Sequence, residues 1–230
     1  MTFVQAIIIG LIYFWGSSTA WSFGVGYYTL YRPVISGLFV GAILGNPIEG
    51  MIAGAVVNLI YLDFVSTGGT LKGDPCLTGV FAAVVVVLYR MNPIEAVSLS
   101  YPIGLIGIFL WKFRLSINSK FVRAADQSVK RGKLSGVIMN NAIYPQLILL
   151  ASSIITVIII VYALNLASGL LGNYYNTLET FLYFAGILLI AFSIASKLNQ
   201  INSIISIISF IIIYCAFLIV KINTTIFIFI

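Results

Sequence analysis

The chain has 230 residues, 61% of them hydrophobic and only 8% charged, with a formal net charge of +6 and a mean hydropathy of +1.11. A soluble domain carries about 25% charged residues, and no soluble core of this length absorbs so much apolar surface, so the composition is that of an integral membrane protein. Histidine is absent, which excludes a Ser-His-Asp triad and a phosphohistidine relay and removes the commonest metal ligand and the usual near-neutral proton shuttle.

In chain order, the first charge is Arg32, so the start lacks the basic n-region of a secretory signal and Met1 onward is expected to remain as the first membrane helix. Phe3 to Trp15 is apolar apart from Gln5, and the GSSTAWSFGVGYYTLYR stretch that follows is too polar and glycine-rich for a lipid-facing span. Val34–Leu44 and Met51–Leu62 are each about half of the roughly 20 residues that a full crossing needs. Gly45-Asn46-Pro47-Ile48-Glu49-Gly50 joins them as a turn. Two short apolar arms around a polar turn predict a re-entrant hairpin or a pair of broken helices.

Leu77–Tyr89 is the next apolar run. Asn92-Pro93-Ile94-Glu95 reads as a helix start, with asparagine capping, proline at the first helical position and Glu95 reaching back. That helix is expected over Ala96–Trp111, bent at Pro102. Lys112–Lys133 holds seven of the twelve basic residues and mixes them with apolar ones. This predicts an amphipathic helix on the cytoplasmic surface rather than a nucleic-acid site, because basic clusters between spans mark the inner side. Leu134–Leu166 predicts one span, Asn165–Thr180 an outer polar loop, and Phe181–Ser196 with Ile201–Val220 a last pair. The fold class is therefore all-α polytopic membrane protein. Its three parts are an N-terminal region 1–111 holding the broken hairpin and the solute site, the cytoplasmic segment 112–133, and C-terminal helices over 134–230.

Polar, interrupted backbone at membrane depth is tolerated only when buried in protein or lining a wet cavity. The stretch from Tyr31 to Leu77 has Pro33, Pro47 and Pro75, many glycines, and Arg32, Glu49, Asn58, Asp63, Lys72 and Asp74, so it reads as a solute site. Sugar hydroxyls donate and accept, and amides and carboxylates hold them best. Asn58, Asp63, Ser66 and Asp74 are the candidates. An interhelical hydrogen bond competes with a ligand role for Asn58. A helix N-cap, with Pro75 following, competes for Asp74, and an interfacial loop position competes for Asp63.

Gly37, Gly41 and Gly45, continued by Gly50 and Gly54, form a stripe at four-residue spacing whose plainer account is close helix packing. Trp21, Tyr27, Tyr28 and Tyr31 fit an interfacial belt better than a stacking wall for a sugar. Arg32 fits an anchor at the membrane surface. Cys76 and Cys215 show no spacing pattern and suggest neither a disulfide nor a metal site.

GYYTLYRP (26–33), GAILGNPIEGMIAGA (41–55), VSTGGTLKGDPCL (65–77) and FVRAADQSVKRGKL (121–134) together resemble the IIC permease subunit of the mannose–fructose–sorbose class of the bacterial phosphotransferase system. The resemblance covers about residues 1 to 150 and beyond about 165 is mostly hydropathy. It implies a multi-pass protein of the bacterial inner membrane that works with a IID membrane subunit, assembled as a trimer of heterodimers. It implies a sugar held between the two subunits and moved by an elevator-like shift. Soluble IIA and IIB phosphocarriers then phosphorylate it, so this chain is a transport subunit rather than an enzyme and needs no cofactor. Asp74 matches an aspartate of the mannose-specific members. The positions of Asn58, Ser66 and Thr29 hold glutamate, asparagine and glutamine there, so mannose specificity does not carry over. On this reading Asn58, Asp74 and Ser66 bind hydroxyls, helped by Gln5 and Thr29. The rival reading is an ion- or proton-coupled secondary transporter acting alone, with Asp63 and Asp74 as coupling carboxylates.

Overall fold

The computed structural model describes residues 1–19, 25–62, 73–171 and 175–195. Their order is α1 (Phe3–Ser17), α2 (Val25–Thr29), α3 (Pro33–Leu44), α4 (Pro47–Ile60), α5 (Pro75–Tyr89), α6 (Pro93–Lys130) and α7 (Leu134–Ile138). A π-helical turn over Met139–Ile143 then leads into α8 (Tyr144–Leu171), and α9 (Tyr175–Ala195) follows. No strand occurs among the described residues. Pro93–Lys130 and Leu134–Leu166 are long and apolar enough to cross a membrane. Phe109 and Phe192 keep 72% and 71% of their surface exposed, which suits lipid and not water.

The two short arms are helices that pack on each other as a hairpin, and the chemistry of the turn is local. Gly45 takes φ +94° at the end of α3, where its N–H bonds the Ala42 and Gly41 carbonyls; only glycine adopts that conformation without cost. Asn46 then caps α4 by accepting from the Glu49 N–H at 3.3 Å, with Pro47 at the first position. The helix thus starts at Pro47, inside the stretch expected to be turn. The glycine stripe is the seam. A Cβ on Gly41 would sit 2.9 Å from Gly50 Cα, and one on Gly54 would sit 2.7 Å from the Pro33 carbonyl carbon. The two helix backbones touch with no side chain between them, which is the packing account of the stripe.

Helix α5 sits at the centre. Every residue from Pro75 to Val86 is buried, as expected of a helix apolar on all sides. Its Leu77, Val80 and Val84 join Ile9, Tyr13, Val40 and Val157 in one cluster. Its Phe81, Ala82, Val85 and Val86 join Ala53, Val57, Tyr61 and Val97 in another. Around this axis α3 and α4 pack on one side and α6 on another, while α1 packs on α8, and α9 on α6.

Two elements differ from expectation. Lys112–Lys133 is not a separate helix over its length, because α6 continues unbroken to Lys130. No glycine or proline lies between Ile108 and Arg131 to stop it. The outer loop expected over 165–180 is mostly helix, since α8 runs to Leu171 and α9 starts at Tyr175. The expected span Ile201–Val220 lies outside the described residues.

Candidate functional site

The residue that organises the site is Asp74. Its Oδ1 caps α5 by accepting from the Leu77 N–H at 3.0 Å, and Pro75 occupies the first helical position. Its Oδ2 accepts from the Tyr13 hydroxyl of α1 at 2.5 Å. Its own N–H donates to the Gly104 carbonyl of α6 at 2.9 Å. Its carbonyl accepts from the Thr78 hydroxyl at 2.7 Å, and Thr78 Oγ1 lies 3.1 Å from the Tyr61 hydroxyl. Two glycines of α6 make room for this knot. A methyl on Gly104 would run into Thr78 Oγ1 and the Tyr61 hydroxyl, and one on Gly107 into Asp74 Cβ. Asp74 keeps only 4% of its surface exposed. A carboxylate has about four lone-pair directions, and the Leu77 N–H, the Tyr13 hydroxyl and the Cys76 N–H are the donors turned toward this one.

Beside Asp74 lies a cavity of about 300 Å³, at the lower end of the roughly 300–1,000 Å³ of small-molecule sites. Four regions build its wall: Ser17 and Thr19 at the end of α1, Tyr27 and Tyr31, the α6 residues Trp111, Arg114 and Asn118, and Gln146 near the start of α8. Tyr27 and Tyr31 stack with ring centroids 4.9 Å apart, so on the cavity side they form a wall of rings rather than a scattered belt. Tyr28 points elsewhere and is 77% exposed, while Trp21 lies outside the described residues. The Ser18 hydroxyl donates to Gln146 Oε1 at 2.9 Å and ties α1 to α8 at the cavity edge. Ser17 Oγ and Asn118 Oδ1 are buried and have no hydrogen-bond partner among the described residues. Such polar atoms are costly unless something satisfies them.

The structure sorts the sequence candidates. Asn58 lies in the last turn of α4 and does not line this cavity; its Oδ1 is buried and also lacks a partner among the described residues. Thr29 does not face the cavity: it is exposed and turns its hydroxyl back onto the Val25 carbonyl at 2.6 Å. Gln5 belongs to the start of α1. There it closes a capping box with Thr2, and its Nε2 donates to the Ile43 carbonyl at 3.2 Å. From Gln5 to Ser17 the helix axis covers roughly 18 Å at 1.5 Å per residue, which sets Gln5 apart from the cavity. Asp63 and Ser66 lie outside the described residues. Tyr13, Ser17, Trp111, Arg114, Asn118 and Gln146 were not among the candidates. One signal for them was available: Gly104, Gly107, Trp111, Arg114 and Asn118 follow a three–four spacing that places them on one face of a helix.

The arrangement can hold a small polyhydroxylated molecule, with a carboxylate, amides and hydroxyls on one side and rings on another. No group of three or more metal-ligating side chains occurs among the described residues.

The family described as "PTS system sorbose-specific IIC component" matches residues 3–230. The chain is 24% identical over 135 residues to the PTS system sorbose-specific EIIC component of Lacticaseibacillus casei, covering 59% of this chain and 49% of that protein. It is 23% identical over 172 residues to the fructose permease IIC component of Bacillus subtilis (strain 168), covering 75% and 64%. The matches thus span about half to two thirds of the length of these relatives. A solved structure of the mannose transporter ManYZ in complex with microcin E492 covers 99% of this chain and 94% of its own, with a TM-score of 0.60 and 20% identity. At that identity the likeness is one of fold, that of an all-α polytopic membrane protein.

Proposed function

The chain belongs to the PTS system sorbose-specific IIC component family, and we propose that it is the membrane permease subunit of a phosphoenolpyruvate-dependent sugar phosphotransferase system. The sugar docks in the cavity beside Asp74, where the carboxylate and Gln146 meet hydroxyls and the Tyr27–Tyr31 pair covers an apolar sugar face. A IID membrane partner completes the site and the hetero-oligomer, a trimer of heterodimers, in a bacterial inner membrane. An elevator-like shift of the hairpin unit carries the sugar inward, and IIA and IIB phosphocarriers phosphorylate it. The absence of histidine from the chain fits a subunit that leaves phosphoryl transfer to its partners.

The observation that carries this reading is a buried carboxylate held at a helix start beside a polar cavity inside an apolar helix bundle. Intramembrane carboxylates are costly and mark solute pathways. The test is growth of a strain that lacks its own hexose permeases and expresses this chain with a IID subunit and the phosphocarriers. Growth is expected on at least one of sorbose, fructose, mannose or an amino sugar, and Asp74→Ala should abolish it. Uptake that persists without the phosphocarriers, driven by an ion gradient, would instead establish the secondary transporter. Undiminished growth of Asp74→Ala would remove Asp74 from the site.

A further inference from the structure

Within the proposed sugar site, the cation Arg114 can donate to the hydroxyls of a neutral hexose, but a neutral hexose does not balance its charge. It lines the cavity and retains only 9% of its surface. Among the described residues it forms no hydrogen bond and no ion pair, although it lies within electrostatic range of Asp74 and Tyr13. No N···O approach between Arg114 and Asp74 falls within 4 Å, and the Asp74 oxygens receive the Leu77 N–H and the Tyr13 hydroxyl, so the Arg114 N–H donors have no acceptor among the described residues. Beside it, one helical turn on, is Asn118, whose buried Oδ1 has no partner among the described residues; Ser17 Oγ, also unpartnered there, lines the same cavity. Which end of the Asn118 amide is oxygen is an assignment made from hydrogen bonding, so the group can present N–H donors instead.

A guanidinium, an amide and a hydroxyl line one cavity, and the Asp74 carboxylate that shares it does not pair with the guanidinium, so the Arg114 fork is open to a second oxyanion. Guanidinium binds carboxylate and phosphate through paired charge-assisted hydrogen bonds, and a neutral hydroxyl answers a buried cation poorly. We propose that Arg114, Asn118 and Ser17 form an oxyanion-binding corner of the sugar cavity, which receives an anionic group carried on the sugar. This rests on the sugar-site reading above and names its ligand class. A carboxylate of an acidic sugar and a phosphate ester on a hexose share the required chemistry.

The test uses the full chain purified with its membrane partner, with binding followed by the fluorescence of Trp111 in the cavity wall and checked by calorimetry. The probes are mannose, fructose and sorbose, then mannose 6-phosphate, fructose 6-phosphate and mannuronate. Wild type should bind an anionic probe at least about tenfold more tightly than its neutral parent, and the preference should shrink as salt rises. Preference for mannuronate points to an acidic sugar, and preference for the 6-phosphates points to a phosphate ester. In Arg114→Gln the ratio of anionic to neutral affinity should fall to near one. Arg114→Lys, which keeps the charge but not the fork, should retain an intermediate ratio and separates loss of the corner from loss of the fold. A wild-type ratio of one or less, or a ratio unchanged in Arg114→Gln, overturns the proposal while leaving Asp74-dependent binding of neutral sugar intact. Binding of no probe at all, neutral or anionic, overturns the sugar site together with its corner.

Discussion

Replacing Tyr13 by Phe removes a single oxygen, the one that donates to Asp74 Oδ2 at 2.5 Å, from a side chain that is 1% exposed. Its ring shape is kept, so the change makes almost no cavity. Two ranges bound the effect. Hydrogen bonds to charged groups contribute about 1.5–3 kcal/mol in proteins generally. Interhelical hydrogen bonds in membranes average about 0.6 kcal/mol and reach about 1.7. The Tyr13–Asp74 pair joins α1 to α5, is buried at both ends and involves a carboxylate, which places it near the overlap of those ranges, at about 1.5 kcal/mol, or roughly a factor of ten. Single variants would mix in other losses, since Asp74→Ala also forfeits the cap on Leu77 N–H, a change costing about 1 kcal/mol. A double-mutant cycle of Tyr13→Phe, Asp74→Ala and the pair cancels that cost. Equilibrium unfolding of the purified chain, from mild detergent into a denaturing one, supplies the four free energies. A coupling below about 0.5 kcal/mol, at the limit of additivity for independent sites, would refute the claim that Tyr13 holds Asp74 in place.

Gly107→Ala gains about 1 kcal/mol of helix propensity but forces a methyl into Asp74 Cβ, and overpacking costs about 1–3 kcal/mol where neither side yields. Asp74 is pinned by its bonds, so the net result should be a lower thermal midpoint and at least a several-fold loss of sugar affinity, measured on the same sample. Asn58→Leu removes an amide whose Oδ1 is buried without a partner among the described residues. It should raise stability in the absence of sugar by about 1–2 kcal/mol while lowering sugar affinity by an order of magnitude or more; a stability loss with unchanged affinity would assign Asn58 to helix packing. Gln5→Ala removes the N3 half of the α1 capping box and the bond to the Ile43 carbonyl while Thr2 still caps, and should cost about 0.5–1.5 kcal/mol, with sugar affinity held within twofold, because Gln5 sits at the far end of its helix.

What the sequence showed clearly was what depends on neighbours along the chain. Gly45-Asn46-Pro47, Asp74-Pro75 and Asn92-Pro93 each specify a helix end through side-chain chemistry within three residues; the Asp74 and Asn92 caps were legible, whereas the start of α4 at Pro47 lies within what read as turn, and Asn92 accepts from the Ile94 N–H. The Asp74 cap was visible as an alternative to a ligand role, and the structure places the cap beside the cavity. Composition misled where it was used without a breaker. The change from apolar to basic at Lys112 looked like a boundary, but composition alone does not stop a helix, and no glycine or proline lies between Ile108 and Arg131. The polar residues after Asn165 looked like a loop for the same reason. The cavity was beyond reach because its wall comes from α1, the Tyr27–Tyr31 region, α6 and α8, which only the tertiary fold brings together. Arg114 in particular reads as one charge of a basic surface segment until α6 turns it inward.

The distribution of glycines decides which parts of the chain act as one body. Along the α3–α4 seam backbone meets backbone, and Gly79 of α5 continues the contact, since a Cβ there would lie 2.7 Å from Pro33 Cα. Helices in such contact cannot slide without opening voids or colliding, so α3, α4 and α5 form a rigid unit. The main contact of α1 with α8 is of the same kind at Gly10, where a Cβ would lie 2.8 Å from Ile154 Cα. Between these two units the contact is different. It is made by side chains such as Ile9, Tyr13, Val40 and Val80, with polar links in the Tyr13–Asp74 bond and the bond from Gln5 to the Ile43 carbonyl. Side-chain surfaces can re-register, whereas glycine seams cannot, so any shift of the hairpin should take place along the α1–α5 boundary. That boundary ends at the cavity, and Asp74 lies on one side of it with Ser17 and Gln146 on the other. A solute bound there is held by both bodies at once, which is the geometry that lets occupancy govern their relative position.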